Sequence, residues 1–381
     1  LTTKGLTVTK KVGLLTAGSD CPGLNAAVRA IGKEAQGSFG MQITAFQDGF
    51  QGLVENRVFP IDGSSFSGIL SMGGTILGTS RDKPDHLVIE GKGDFDGTED
   101  AIRTYQKHHL DCLVCIGGKE TQEAALYLMG KGLNVITLPK AIDNDVAMTD
   151  TTIGFDTALE IATESIDRLH STALSHHRIL IVELMGRNTG WLTLGAGMAG
   201  GADVIIIPEI AYDPEKIAQT ILTRSQARKN FSIIAVAENI ISQEYVSFFN
   251  RLEQANTRLR MGEDREKVAG QIKDFKNQQK GSTTYLANRL EKYTGLETRI
   301  AILGYILRGG APSARDRLLA TQLGTTCVSL IVDNHYGVMV ASRDARPTPV
   351  PLDQVVGKAK PVPLDHPWII SARRVGTSFG D

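Results

Sequence analysis

The sequence predicts an α/β fold built on parallel sheets flanked by helices, and three observations carry that reading. Short aliphatic runs bounded by glycine alternate with helical patterns of roughly ten or more residues, as parallel strands joined by crossover helices require. Glycine is the one residue type in excess, 40 of 381. No apolar stretch approaches the roughly 18 residues of a membrane-spanning helix.

The length corresponds to two or three domains at about 150 residues each. Lys plus Arg number 41 and Asp plus Glu 42, a formal net charge of −1. A near-neutral chain has no global attraction for nucleic acid or acidic lipid, so an anionic partner must be held locally. Hydrophobic, charged and aromatic shares of 41%, 22% and 6% exclude extensive disorder. The amino end, LTTKGL, lacks the apolar stretch of a signal peptide. Cys21, Cys112, Cys115 and Cys327 are too few for a disulfide scaffold, which agrees with a reducing compartment. The expectation is a soluble cytoplasmic protein that takes neither nucleic acid nor a membrane as partner.

Taken in order, residues 12–17 read as a strand, 18–23 as a loop and 24–36, with Ala, Val and Ile at helical spacing, as a helix. Further strands are expected at 112–116, 135–138, 179–184, 204–207 and 233–237. Helices fit between them at 121–129, 157–170, 192–198 and 214–225. The stretch 251–280 breaks the rhythm, with eight basic and five acidic residues among thirty. It is expected to form one or two exposed helices of a charged surface insertion near 247–285. The proline-rich stretch 346–351 reads as a surface connection.

In an open parallel sheet the strand-to-helix loops gather at the carboxyl edge, so glycine-rich loops there are the first place to seek a phosphate site. Loop 18–23, GSDCPG, has P-loop spacing, but Leu24 and Asn25 follow where Lys and Ser/Thr are needed, which argues against a Walker site. Loop 73–81, GGTILGTSR, combines bare backbone N–H groups, hydroxyls and a guanidinium, and GGKET at 117–121 follows a buried strand and opens a helix. Taken singly, each of these fits a tight turn as well as an anion site.

Carboxylates form the second element, in PKAIDND at 139–145. Asp143 and Asp145, two apart beyond a strand, are spaced so that one can face a substrate hydroxyl while the other supports it, and a turn role fits them equally. Arginine with small residues is the third element: MGR at 185–187, ETR at 297–299 and RGG at 308–310. Guanidinium forks near backbone amides suit a phosphorylated ligand. Cys112 and Cys115, with His108 and His109 just before them, imitate a zinc cluster, but residues i and i+3 on a strand point to opposite faces, so core cysteines are expected. His176 and His177 are expected to be structural or solvent-facing.

Read together, the segments TAGSDCPGLNAA at 16–27, 73–81, 139–145, TIGF at 152–155, 185–187, Glu238, 297–299 and 308–310 resemble the 6-phosphofructokinase family over nearly the whole chain and in the family's order. The resemblance implies two similar α/β domains: a donor-binding domain at 1–154 plus 307–357 and a sugar-phosphate-binding domain at 155–306 plus 358–381. It implies transfer of a phosphoryl group from ATP or pyrophosphate, with Mg2+, to the C1 hydroxyl of fructose 6-phosphate. Carried over by position, Asp143 resembles the base, Asp145 its support, Arg187 the group that neutralises the transferring phosphoryl and Arg81 a holder of donor phosphates. Gly18, Ser19, Gly118, Lys119, Glu120, Thr121 and Lys140 fall at donor positions. Ala141, Met185, Gly186, Glu238, Tyr305 and Arg308 fall at substrate positions, and Arg178 and Arg299 at positions that reach the sugar phosphate from a neighbouring subunit. A homo-oligomer, dimer or tetramer, with shared sites is therefore implied.

Three positions depart from the family pattern. Lys119 stands where a magnesium-ligand carboxylate is expected, so no metal ligand is clear. Ala141 replaces a threonine, and Ser19 a glycine. In the family a glycine at the position of Glu120 goes with ATP and an acidic side chain with pyrophosphate, while Lys140 occurs with both donors. The departures leave a second reading, a weak or silent paralogue acting as a sugar-phosphate-binding regulatory subunit.

Overall fold

The computed structural model describes residues 9–61, 63–89, 93–248 and 282–381. The expected charged helices at 251–280 lie outside the described residues. The chain divides into two compact units, Leu1–Ala158 with Arg308–Lys360 and Leu159–Leu307 with Pro361–Asp381.

The first unit holds a seven-stranded sheet built from β1 (Lys11–Ala17), β2 (Gln42–Phe46), β3 (Val58–Phe59), β6 (Cys112–Gly117), β7 (Val135–Pro139), β12 (Val338–Arg343) and β13 (Arg346–Pro351). Its order is β13-β12-β7-β6-β1-β2-β3. The five central strands are parallel, and the outermost pairs, β12 with β13 and β2 with β3, are antiparallel. Two short strands, β4 (Leu87–Ile89) and β5 (Gly93–Phe95), pair apart from it. β1 and β6 are buried on both faces apart from Lys11, which is why they read as continuous aliphatic runs and not as alternating ones. Cys112 and Cys115 are fully buried, and all four cysteines are free thiols.

The proline-rich stretch is a correction. Residues 346–351 form strand β13 at the edge of the sheet, in register with β12, where a surface connection was expected. Pro347, Pro349 and Pro351 alternate, so their missing N–H groups all fall on one side of the strand. Arg346, Thr348 and Val350 keep donors for β12, and proline is tolerated on an edge for that reason.

The second unit holds a parallel four-stranded sheet of β8 (Ile179–Leu184), β9 (Val204–Ile206), β10 (Ser232–Ala237) and β11 (Thr298–Ile302), in the order β11-β8-β10-β9. Its core packs Ile179, Ile181, Ile206, Val236, Ile217 and Leu286 from the strands and the helices α7 (Pro214–Gln226) and Ser282–Thr294. Pro214 takes the first helical position of α7 and the Asp213 carboxylate accepts from Glu215 N at 2.9 Å, a start signal legible in the sequence. Among the described residues no helix is long and apolar enough to cross a membrane.

Candidate functional site

Parallel pairing brings three loops to one edge. Adjacent strands β1, β6 and β7 run the same way, so the loops that leave them, 18–23, 117–121 and 139–145, share the carboxyl edge of the first unit's sheet. Gly18 takes φ 84°, a left-handed backbone that suits glycine, and its N–H donates to Ser80 O at 2.7 Å. Thr79 Oγ1 donates to Gly18 O at 2.7 Å, and Arg81 Nη2 to Ser19 Oγ at 3.3 Å. Loop 73–81 is thereby laced to loop 18–23. Gly73 approaches the carbonyl of Gly310 so closely that an added Cβ would stand 2.3 Å from that oxygen.

Beneath these loops lies a buried ammonium. Lys140, 4% exposed, donates to Ser19 O, and burial holds its pKa below the ordinary 10.5 against the pull of Cys21, Asp20 and Asp145. The Arg308 guanidinium acts on Lys140 in the same downward direction, which puts it within electrostatic reach of the donor-side loops. Gly118 precedes α4 (Lys119–Gly130), whose first-turn Lys119 and Glu120 are exposed while Thr121 is buried. Thus Gly18, Ser19, Arg81, Thr121 and Lys140, assigned to the donor from the sequence, are assembled by the fold on one side of this unit.

The carboxylate pair follows β7. Asn144, with φ 52°, separates Asp143 from Asp145 in a left-handed turn. Ala141 donates its N–H to Ile153 O at 3.2 Å, and its carbonyl accepts from Thr152 Oγ1 at 2.5 Å, so Ala141 is fixed by its backbone and contributes no hydroxyl. Burial raises the Asp145 pKa, and a backbone hydrogen bond and the ammonium groups of Lys119, Lys140 and Lys360 oppose the rise. Lys119 therefore lies within electrostatic reach of Asp145. Among the described residues no group of three His, Cys, Asp or Glu side chains could hold a metal ion. An ammonium in the place of a ligand repels a divalent cation, so these residues do not fit a magnesium site held by the protein itself.

The second unit supplies the other assigned residues. Met185, Gly186 and Arg187 follow β8, and the next residues open α6 (Trp191–Ala199). Glu238 follows β10 and donates its N–H to Leu184 O at 3.1 Å, so the 185–187 loop and Glu238 leave neighbouring strands together. Beyond β11, Tyr305 is 79% exposed. Arg178 and Arg299 both bind the Glu297 carboxylate, which holds the two guanidinium groups together at the amino-terminal ends of the paired strands β8 and β11. His176 and His177 are exposed.

Several positioning residues were not found from the sequence. Asn25 Nδ2 donates to Met72 O and Gly73 O at 3.3 and 3.1 Å, and its Oδ1 accepts from Ile76 N at 2.7 Å. Gln122 donates to Gly117 O at 3.2 Å and accepts from Thr137. Asp316 accepts from Gly154 N, Thr157 N and Thr157 Oγ1 at 2.9, 2.8 and 2.5 Å, and so caps α5 (Phe155–His176). Glu209 accepts from Gly190 N at 3.0 Å and Val362 N at 2.8 Å, fixing the start of α6. Asn25 and Gln122 are helical polar residues with aliphatic neighbours, a pattern that could have marked them. Asp316 and Glu209 carry no such signal.

A family model described as phosphofructokinase matches residues 11–331. The chain is 49% identical over 378 residues, 97% of its length and 99% of the relative's, to an ATP-dependent 6-phosphofructokinase of Propionibacterium freudenreichii. It is 46% identical, over 98% of both chains, to one of Spirochaeta thermophila. Among solved structures, the T-state phosphofructokinase of Pichia pastoris superposes with a TM-score of 0.75 at 28% identity, covering 93% of this chain and 36% of that one. A pyrophosphate-dependent phosphofructokinase of Marinobacter aquaeolei shares the fold, with a TM-score of 0.73 at 19% identity, covering 93% and 86%. With a family model over residues 11–331 and relatives of this identity over nearly the whole chain, the chain belongs to the phosphofructokinase family.

Proposed function

We propose that this chain transfers a phosphoryl group from ATP or pyrophosphate to the C1 hydroxyl of fructose 6-phosphate. The observation that carries the reading is the Asp143–Asp145 turn at the same sheet edge as the glycine loops and the buried Lys140. Asp143 takes the proton of the C1 hydroxyl. The freed oxygen forms a bond to the terminal phosphorus of the donor, and the bridging P–O bond breaks to release ADP or orthophosphate. Asp145 supports Asp143, and Arg81 and Arg187 neutralise charge on the phosphates, where electrostatic positioning does most of the work. Gly18, Ser19, Gly118, Lys119, Glu120, Thr121 and Lys140 line the donor side. Met185, Gly186, Glu238, Tyr305 and Arg308 belong to the sugar phosphate. Magnesium, when present, would be held by the donor's own phosphates and would supply charge neutralisation there, a mode of binding that needs no cage of protein carboxylates.

Arg178 and Arg299, paired on Glu297, together with the exposed Ile302 and Ile306 elsewhere on this unit, support a homo-oligomer, dimer or tetramer, in which the arginines serve a neighbouring subunit's sugar phosphate. Four buried free thiols support a cytoplasmic setting. The test is a coupled assay with fructose 6-phosphate, magnesium and either ATP or pyrophosphate. Turnover with one donor is expected, and it also settles which donor is used. Binding of fructose 6-phosphate by calorimetry without turnover restores the regulatory-subunit reading, and absence of binding overturns both.

A further inference from the structure

Asn144 is the residue on which the carboxylate turn pivots. Asparagine is one of the few L residues that take a left-handed backbone readily, and it does so where its short side chain can hydrogen-bond to nearby groups. Asn144 is 3% exposed, and its amide is engaged at both ends. Nδ2 donates to Asp150 O at 3.2 Å, while Oδ1 accepts from Thr152 Oγ1 at 3.4 Å and from Lys360 Nζ at 2.8 Å. The same Nζ donates to Asp150 O at 2.9 Å. One ammonium from a segment 216 residues away therefore joins Asn144 to the strand-exit segment that Asn144 itself contacts.

That ammonium is held at a cost. Burial pulls the Lys360 pKa down to about 8, and the nearby carboxylates Asp150 and Asp145 only partly oppose it. A solvent-facing lysine would suffer no such shift, and a purely space-filling residue would need no charge.

We infer that Lys360 is a positioning residue for the phosphotransfer base: by bridging Asn144 to Asp150 it fixes the left-handed turn and with it the directions of Asp143 and Asp145. The inference rests on the proposed phosphotransferase reading, in which Asp143 takes the proton. Lys360 does not itself contact substrate in this account, so its loss should slow the chemical step without weakening binding.

The experiment compares the full-length parent with Lys360→Met and Lys360→Arg, using fructose 6-phosphate and the donor that the parent turns over. Misplacement of a reacting group by about 1 Å costs roughly a hundredfold, so kcat of Lys360→Met should fall roughly ten- to a hundredfold. Both KM values should stay within about twofold of the parent's, and Lys360→Arg, which keeps the charge and two donors, should recover most of kcat. A far-ultraviolet circular dichroism spectrum matching the parent's shows that Lys360→Met is folded, and Asn144 Oδ1 keeps Thr152 Oγ1 as a donor in the variant. A kcat of Lys360→Met within about twofold of the parent's, or a loss confined to KM, overturns the inference.

A second measurement needs no turnover. Deuterium exchange of a peptide covering 141–152 should be faster in Lys360→Met than in the parent and in Lys360→Arg, with a peptide over 112–130 unchanged. If the parent uses neither donor, the functional reading fails and the exchange comparison alone decides the clamp. Exchange at the parent's rate in Lys360→Met then overturns it.

Discussion

Asn25→Ala should weaken the phosphoryl donor and leave fructose 6-phosphate alone. Asn25, the second residue of α1 (Leu24–Phe39), is 1% exposed, and its amide makes three hydrogen bonds to the 72–76 segment. Met72 and Gly73 are exposed, so water can replace the lost amide at their carbonyls at little cost. Ile76 is part buried, and its N–H loses its acceptor, which costs about 1–2 kcal/mol. The same segment runs on to Thr79, Ser80 and Arg81, which are bonded to Gly18 and Ser19. A loosened anchor must be reordered when the donor binds, so the donor KM should rise about 5- to 30-fold at 1.4 kcal/mol per tenfold. Initial rates with the donor varied at saturating fructose 6-phosphate measure this, followed by the converse titration. The residues assigned to the sugar side chiefly lie in the second unit and share no hydrogen bond with Asn25, so the fructose 6-phosphate KM should not move. A donor KM equal to the parent's, or equal rises in both KM values, refutes the reasoning.

Two pH effects follow. Lys119→Gln removes one of the ammonium groups that oppose the burial-driven rise of the Asp145 pKa, so the Asp145 carboxyl, followed by its carbon resonance in an NMR titration, should titrate at higher pH; an unmoved titration shows that Lys119 does not act on Asp145. Lys360 has a folded-state pKa of about 8 against 10.5 in solvent, so between those values the unfolded chain binds more protons and stability rises with pH. Below pH 8 the ammonium is charged in both states, and the net penalty for keeping it charged in the folded chain, about 3 kcal/mol, is fully present. The stability difference between Lys360→Met and the parent, from denaturant unfolding, should therefore shift by about that amount in the parent's favour as pH rises from 8 to 10.5, and a pH-independent difference contradicts the assignment.

Glycine-bounded aliphatic runs were enough to place β1, β6, β7, β8, β9 and β10, because strands buried on both faces must be apolar throughout, whatever they pack against. Helix starts at Leu24 and Pro214 were equally legible, the first from the helical spacing of its apolar residues after Gly23 and the second from the Asp213 cap and Pro214. Stretch 346–351 failed for the opposite reason. Whether a proline run forms an edge strand depends on a partner, and β12 lies outside its own sequence window.

The sequence by itself determined the chemistry available: two carboxylates beyond a strand, three glycine loops, a lysine at 140, and arginines in short motifs whose order marks the family. Only the tertiary structure decided what holds that chemistry in place. Asn25, Asp316, Glu209 and Lys360 act through hydrogen bonds to residues 19 to 216 positions away, and no local pattern encodes such a pairing. Motifs are visible because backbone geometry and reactive groups constrain neighbours in the chain. The supports are invisible because any donor that the fold delivers to the right point will serve, and the fold delivers it from segments that share no sequence neighbourhood with the site.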